Sequence, residues 1–142
     1  MAHLKSSAAQ GIGPVPYPNT AGEAVVHRYT MAIPATAAIG DILEIACIPA
    51  TARPTDVVVD VDGAVSGDLG VMTGDWGSED TERAVGTEFA AAQDFTADAV
   101  FRPTKPTAYR IANSATARGV GLKITTAPAG PVNIGITLTV VA

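Results

Sequence analysis

From Gly22 onward the chain alternates between apolar and polar positions with a period of two. In "EAVVHRYTMAI" the residues Val25, His27, Tyr29, Met31 and Ile33 share one side, and Val26, Arg28, Thr30 and Ala32 share the other. "TDVVVDVDG" sets Val57, Val59 and Val61 against Val58, Asp60 and Asp62, then closes on an Asp-Gly turn signal. "GVGLKITTAP" aligns Val120, Leu122 and Ile124, and "PVNIGITLTVVA" aligns Val132, Ile134, Ile136, Leu138 and Val140. The "APAGP" between the last two predicts that they pair as an antiparallel hairpin. "GDILEIACIP" breaks the rule, because both of its sides are largely apolar; it predicts a strand covered on each face. "AYRIAN" and "LGVMT" read as further short strands. Only "VGTEFAAAQDF" has helical spacing, with Val85, Phe89 and Ala92 on one side.

Seven or eight strands punctuated by glycine and proline predict an all-β protein. The expected form is an antiparallel β-sandwich, a jelly roll in preference to another Greek-key arrangement. Residues 1–22 differ from the rest. "GIGPVPYPNTAG" puts prolines at 14, 16 and 18, which fix φ and disfavour helix before each of them. The reading is an extended arm over 1–22 followed by a single domain over 23–142. Ordering backbone costs about 1–2 kcal/mol per residue. So poor a source of large apolar side chains recovers little of that on its own domain, so the arm is expected to lie across another chain.

The formal net charge is −5, and the nine basic residues never stand side by side. Such a chain has no patch to neutralise phosphates, so nucleic acid is not an expected partner. No apolar run approaches the ~20 residues that cross a bilayer, and the first residues lack the apolar stretch of a secretory signal. Charged residues are 16% of the chain against about 25% in typical soluble domains, which fits a surface covered by partners and equally a merely Ala/Thr-rich domain. The lone Cys47 cannot form an internal disulfide and reads as a small buried hydrophobe.

"DVDGAVSGDLGVMTGDWGSED", residues 60–80, holds six acidic residues, five glycines and the only tryptophan. It fails the calcium-loop pattern, since Ala64 and Val65 stand where a third acceptor and a glycine belong. A looser calcium site on Asp60, Asp62 and Asp68, joined by Asp75 and Trp76, would suit a β-sandwich module for carbohydrate or a cell surface. Glu79, Asp80 and Glu82 form the only carboxylate cluster a hydrolase could use. Both readings are weaker than a set of solvated turns, where aspartate and glycine are favoured. No nucleophile elbow, phosphate loop or zinc pattern is present, and His27 reads as a half-buried strand residue. No catalytic residue, metal or cofactor is expected, and the chain does not read as an enzyme.

"GDILEIACIPATARPTDVVVDVDG", "LGVMTGDWG", "VGTEF", "AYRIAN" and "RGVGLKITTAPAG", spread over residues 22–142, resemble a tailed-bacteriophage capsid decoration protein, also called a cement or minor capsid protein. The resemblance implies a small β-sandwich on the outer surface of an icosahedral head, bridging neighbouring major capsid proteins. It implies a homo-oligomer too, made in the bacterial host cytoplasm; a dimer is expected in preference to a trimer because two-fold contacts are the commonest closed symmetry. Within that reading Val15, Pro16, Tyr17 and Pro18 are the expected arm contacts, Tyr17 being the one sizeable amphipathic anchor. Trp76 is a further candidate, either plugging the edge of the core or meeting a partner.

Overall fold

The computed structural model describes residues 2–18, 22–80, 82–95 and 99–142. Among these described residues nine strands follow one another: β1 (His3–Lys5), β2 (Ala24–Ile33), β3 (Ile42–Ile48), β4 (Arg53–Val61), β5 (Val65–Val71), β6 (Ala90–Phe95), β7 (Ala99–Phe101), β8 (Arg118–Thr126) and β9 (Val132–Val141). They form a five-stranded sheet in the order β1-β3-β8-β5-β6 and a four-stranded sheet in the order β2-β9-β4-β7. Every pairing is antiparallel except that of β1 with β3. From β2 onward consecutive strands alternate between sheets, except β5 and β6, which are neighbours in one. That connectivity is the paired Greek key of a jelly roll, and the expected all-β sandwich is what the chain forms.

The alternating strands earn their places by burying one side. On β2 the pattern places Tyr29 and Ile33 inside, with Val25, His27 and Met31 half-buried on the same side. Val57, Val59 and Val61 of β4 and Val132, Ile134, Ile136, Leu138 and Val140 of β9 are buried as the period of two requires. They meet Leu43, Ile45, Leu122, Ile124, Leu69, Phe89 and Phe95 from the facing sheet in one core. Cys47 is buried there, which pushes its thiol up to about 12.

Four expectations need correcting. β8 and β9 do not form a hairpin: β8 lies between β3 and β5, β9 between β2 and β4, and residues 127–131 carry the chain from one sheet to the other. Sheets in a sandwich stand ~10 Å apart, a gap five residues can cross. The helix-spaced stretch contains β6 instead. Phe89 and Phe95 anchor its two ends in the core, Phe95 meeting Phe101 edge-to-face at 5.5 Å, and this tertiary demand overrides the helix preference of its alanines. "AYRIAN" is not a strand. A 3-10 turn over Pro106–Tyr109 takes its start, with the Tyr109 hydroxyl donating to the Pro103 carbonyl at 2.8 Å.

The first residues are not extended throughout. β1 pairs parallel with β3, aligning His3 with Ile42 and Lys5 with Glu44. Tight turns follow over residues 7–13, with the Ser6 hydroxyl donating to the Ile45 carbonyl at 2.7 Å and Ala8 and Ala9 buried. Backbone pairing and small side chains, rather than large apolar ones, supply what the composition lacks. The same packing explains β3. All seven of its residues are buried, and its second face is covered by this chain's own N-terminal segment and the loop after β5.

Candidate interaction surface

A charged pair organises this covered face. Glu44 sits in the middle of β3 and is wholly buried; Arg83, in the segment leading to β6, is 4% exposed. The Arg83 guanidinium donates through Nη1 to Glu44 Oε1 at 3.0 Å and through Nη2 to Oε2. Two more of its donors go to the carbonyls of Thr73, at 2.7 Å from Nε, and Ser78, at 2.8 Å from Nη1. Glu44 Oε1 also accepts the Gly77 amide at 3.2 Å. Each ionised group thus has the partners that burial of charge demands. Room for the carboxylate comes from Gly119 on the neighbouring β8, where a Cβ would overlap Glu44.

The pair fixes the loop that carries Trp76. Gly74 and Gly77 both take φ of 77°, a left-handed conformation that glycine adopts without strain, and so fold "GDWG" back on itself. Lys5 clamps the outer side, donating to the Gly77 carbonyl at 3.2 Å and pairing with Glu79 at 3.1 Å. Trp76 is held half-buried against the core as a result. Together with Val15, Tyr17 and Pro18 it lines an open groove of ≈470 Å³ whose floor includes Pro49, Ala50 and Ala117. Four of the five expected contact residues therefore converge on one mainly apolar groove. Pro16 is half-buried and does not line it. Tyr17 remains 62% exposed.

The acidic stretch 60–80 is not one loop, since β5 runs through it. Its carboxylates have separate tasks. Asp60 pairs with Arg28 across the outer face of the four-stranded sheet. Asp62 accepts both the backbone and the side-chain N–H of Asn133, at 2.7 and 2.8 Å. Asp68 accepts the Ala92 amide at 2.7 Å. Glu79 is tied to Lys5, and Asp80 accepts the Glu82 amide at 3.0 Å, so the hydrolase candidates form a surface turn. Among the described residues no group of three or more His, Cys, Asp or Glu is placed to hold a metal ion. His27 stands edge-on to Tyr29 at 4.6 Å, a packing role.

Two groups make the attachment of β1 sensitive to acid. Burial holds the His3 imidazole below its usual value of 6.5, against the opposing pull of Glu44, whose Oε1 lies 3.7 Å from Nε2. The Asp41 carboxylate accepts the amides of Ala2 and Ala38, at 2.8 and 2.9 Å, which hold it below its usual 3.8. Both folded values are depressed, so the unfolded chain binds more protons as pH falls. The melting temperature is expected to fall first below pH 6.5 through His3, then further below 3.8 through Asp41. His3→Gln should remove the first step and leave the second; a melting curve unchanged down to pH 4 would refute the assignment to His3.

The fold is a two-sheet sandwich that carries an apolar groove between its N-terminal segment and Trp76. No family model matches the chain, and no curated protein matches it. A solved chain from the capsid of Ralstonia phage GP4 is 32% identical, with 99% of each chain covered and a TM-score of 0.89. The present chain belongs to the family of that phage capsid protein and is a structural component of the virion. A chain of the cyanophage Pam1 capsid asymmetric unit is 16% identical over 90% of this chain and 91% of that one, with a TM-score of 0.58, a likeness of fold.

Proposed function

We propose that the protein decorates a phage head from outside, bridging neighbouring major capsid proteins and so stiffening the shell. The observation that carries this reading is the groove between the N-terminal segment and Trp76. It presents apolar surface and one exposed aromatic anchor on a capsid-family protein whose own core is already closed. A sandwich complete in itself needs no neighbour to fold, so surface of this kind serves attachment. The protein acts as a homo-oligomer, a dimer before a trimer because two-fold contacts are the commonest closed symmetry. Its sparse charge, net −5, suits contact with protein and not with packaged DNA. It is made in the host cytoplasm and added to the head there.

Cryo-electron microscopy of heads carrying the protein tests this directly. Copies should lie on the outer surface, each touching more than one major capsid protein, with Tyr17 and Trp76 at the contact. Copies on the inner surface, or forming the continuous wall of the shell, would overturn the proposal.

A further inference from the structure

Three of the four sheet edges are blunted. β1 and β7 have three residues each. β6 faces a bulge between Gly67 and Leu69 of β5 and carries Ala92 at a φ of 46°. The fourth edge, β2, is ten residues long and pairs with β9 in unbroken register from Ala24 to Ile33. Among the described residues no backbone group of β2 is bonded on the side away from β9. The strand contains no proline, lysine or bulge, the devices that ordinarily keep an edge from pairing, and its one arginine, Arg28, is paired with Asp60 of its own sheet. An open depression of ≈860 Å³ spans from Lys5–Ser7, next to the β2 edge, across Arg28 and Thr30 to Asp60 and Asn133 of the same sheet.

We propose that β2 pairs antiparallel with β2 of a second copy about a two-fold axis at Val26, joining two four-stranded sheets into one of eight strands. The proposal rests on the homo-oligomeric reading above and names the surface that would serve it. A second copy is the occupant because it brings an edge of equal length, equally regular and equally bare. Symmetry then limits the register. Residues opposite one another must lie on the same side of the joined sheet, so the axis falls on a residue and not between two. An axis at Arg28 would set guanidinium against guanidinium, and like charges directly opposite are destabilising. An axis at Val26 sets Arg28 opposite Ala24 and Thr30 opposite Gly22. It also covers Val26, which is 61% exposed as a single copy, with its own equivalent.

The test uses the full chain. Light scattering should give a dimer, and Val26→Lys, a change at an exposed position, should give a folded monomer whose melting temperature no longer depends on protein concentration. Under mild oxidation Val26→Cys should form a covalent dimer, because opposite Cβ atoms in an antiparallel pair are about 4.5–5.5 Å apart. Thr30→Cys should not, its copy lying about 27 Å away along the strand. A dimer indifferent to Val26→Lys and not cross-linked by Val26→Cys would overturn the edge pairing while leaving the oligomeric reading intact. A monomer that still binds heads would overturn the pairing and the oligomer, but not attachment to the shell.

Discussion

Glu44→Ala is expected to destabilise the protein by about 3–5 kcal/mol, the usual cost of stranding one member of a buried ion pair. Arg83 would keep its bonds to Thr73 and Ser78 but lose its counter-charge in a site from which water is excluded. The Gly77 amide would lose its acceptor at the same time. Because these bonds hold the 73–83 loop, the loss should be visible at Trp76, with red-shifted emission in the native state before global unfolding. Urea denaturation followed by circular dichroism and by fluorescence measures both effects. Exchanging both partners, Glu44→Leu with Arg83→Met, should recover much of the stability, since apolar replacements of similar volume fill such sites well. A single Glu44→Ala change that left the urea midpoint unmoved would mean that the pair does not organise this face.

The second large effect is on attachment. Trp76→Ala and Tyr17→Ala are each expected to weaken binding to heads by roughly 30-fold, about 2 kcal/mol, as aromatic anchors at the centre of an interface do. The two differ in what else they disturb. Tyr17 is largely exposed, so its loss should leave the melting temperature unchanged. Trp76 is half-buried against the core, and its removal should lower stability modestly as well. Binding measured by sedimentation with heads lacking the protein separates the two contributions. Full binding by both variants would move the contact away from the groove.

The groove shows how a site can be partly legible before its geometry is known. Proline spacing and a single tyrosine singled out residues 15–18, and a tryptophan among glycines singled out position 76. What joins them is not local: Lys5, Glu44 and Arg83 hold the loop in place from three separate parts of the chain. Glu44 did carry a signal of its own, a charge set among "ILEIACI", because a buried carboxylate requires a counter-ion. The identity of that counter-ion was not readable, since Arg83 lies 39 residues away in a segment with no periodicity.

Alternation by itself determined which residues of β2, β4, β8 and β9 face inward, because a strand with one side in water and one in the core records that division at every second position. It could not determine which strands are neighbours. β8 and β9 are adjacent in sequence and apolar on one side, yet each serves as an interior strand of a different sheet, and both arrangements bury the same residues. Local preference likewise favoured a helix where β6 runs, until two phenylalanines were drawn into the core. Burial is written into each strand by its own residues. Pairing, the covering of β3 and the placing of Trp76 depend on contacts between distant segments, and only the tertiary structure decides among those.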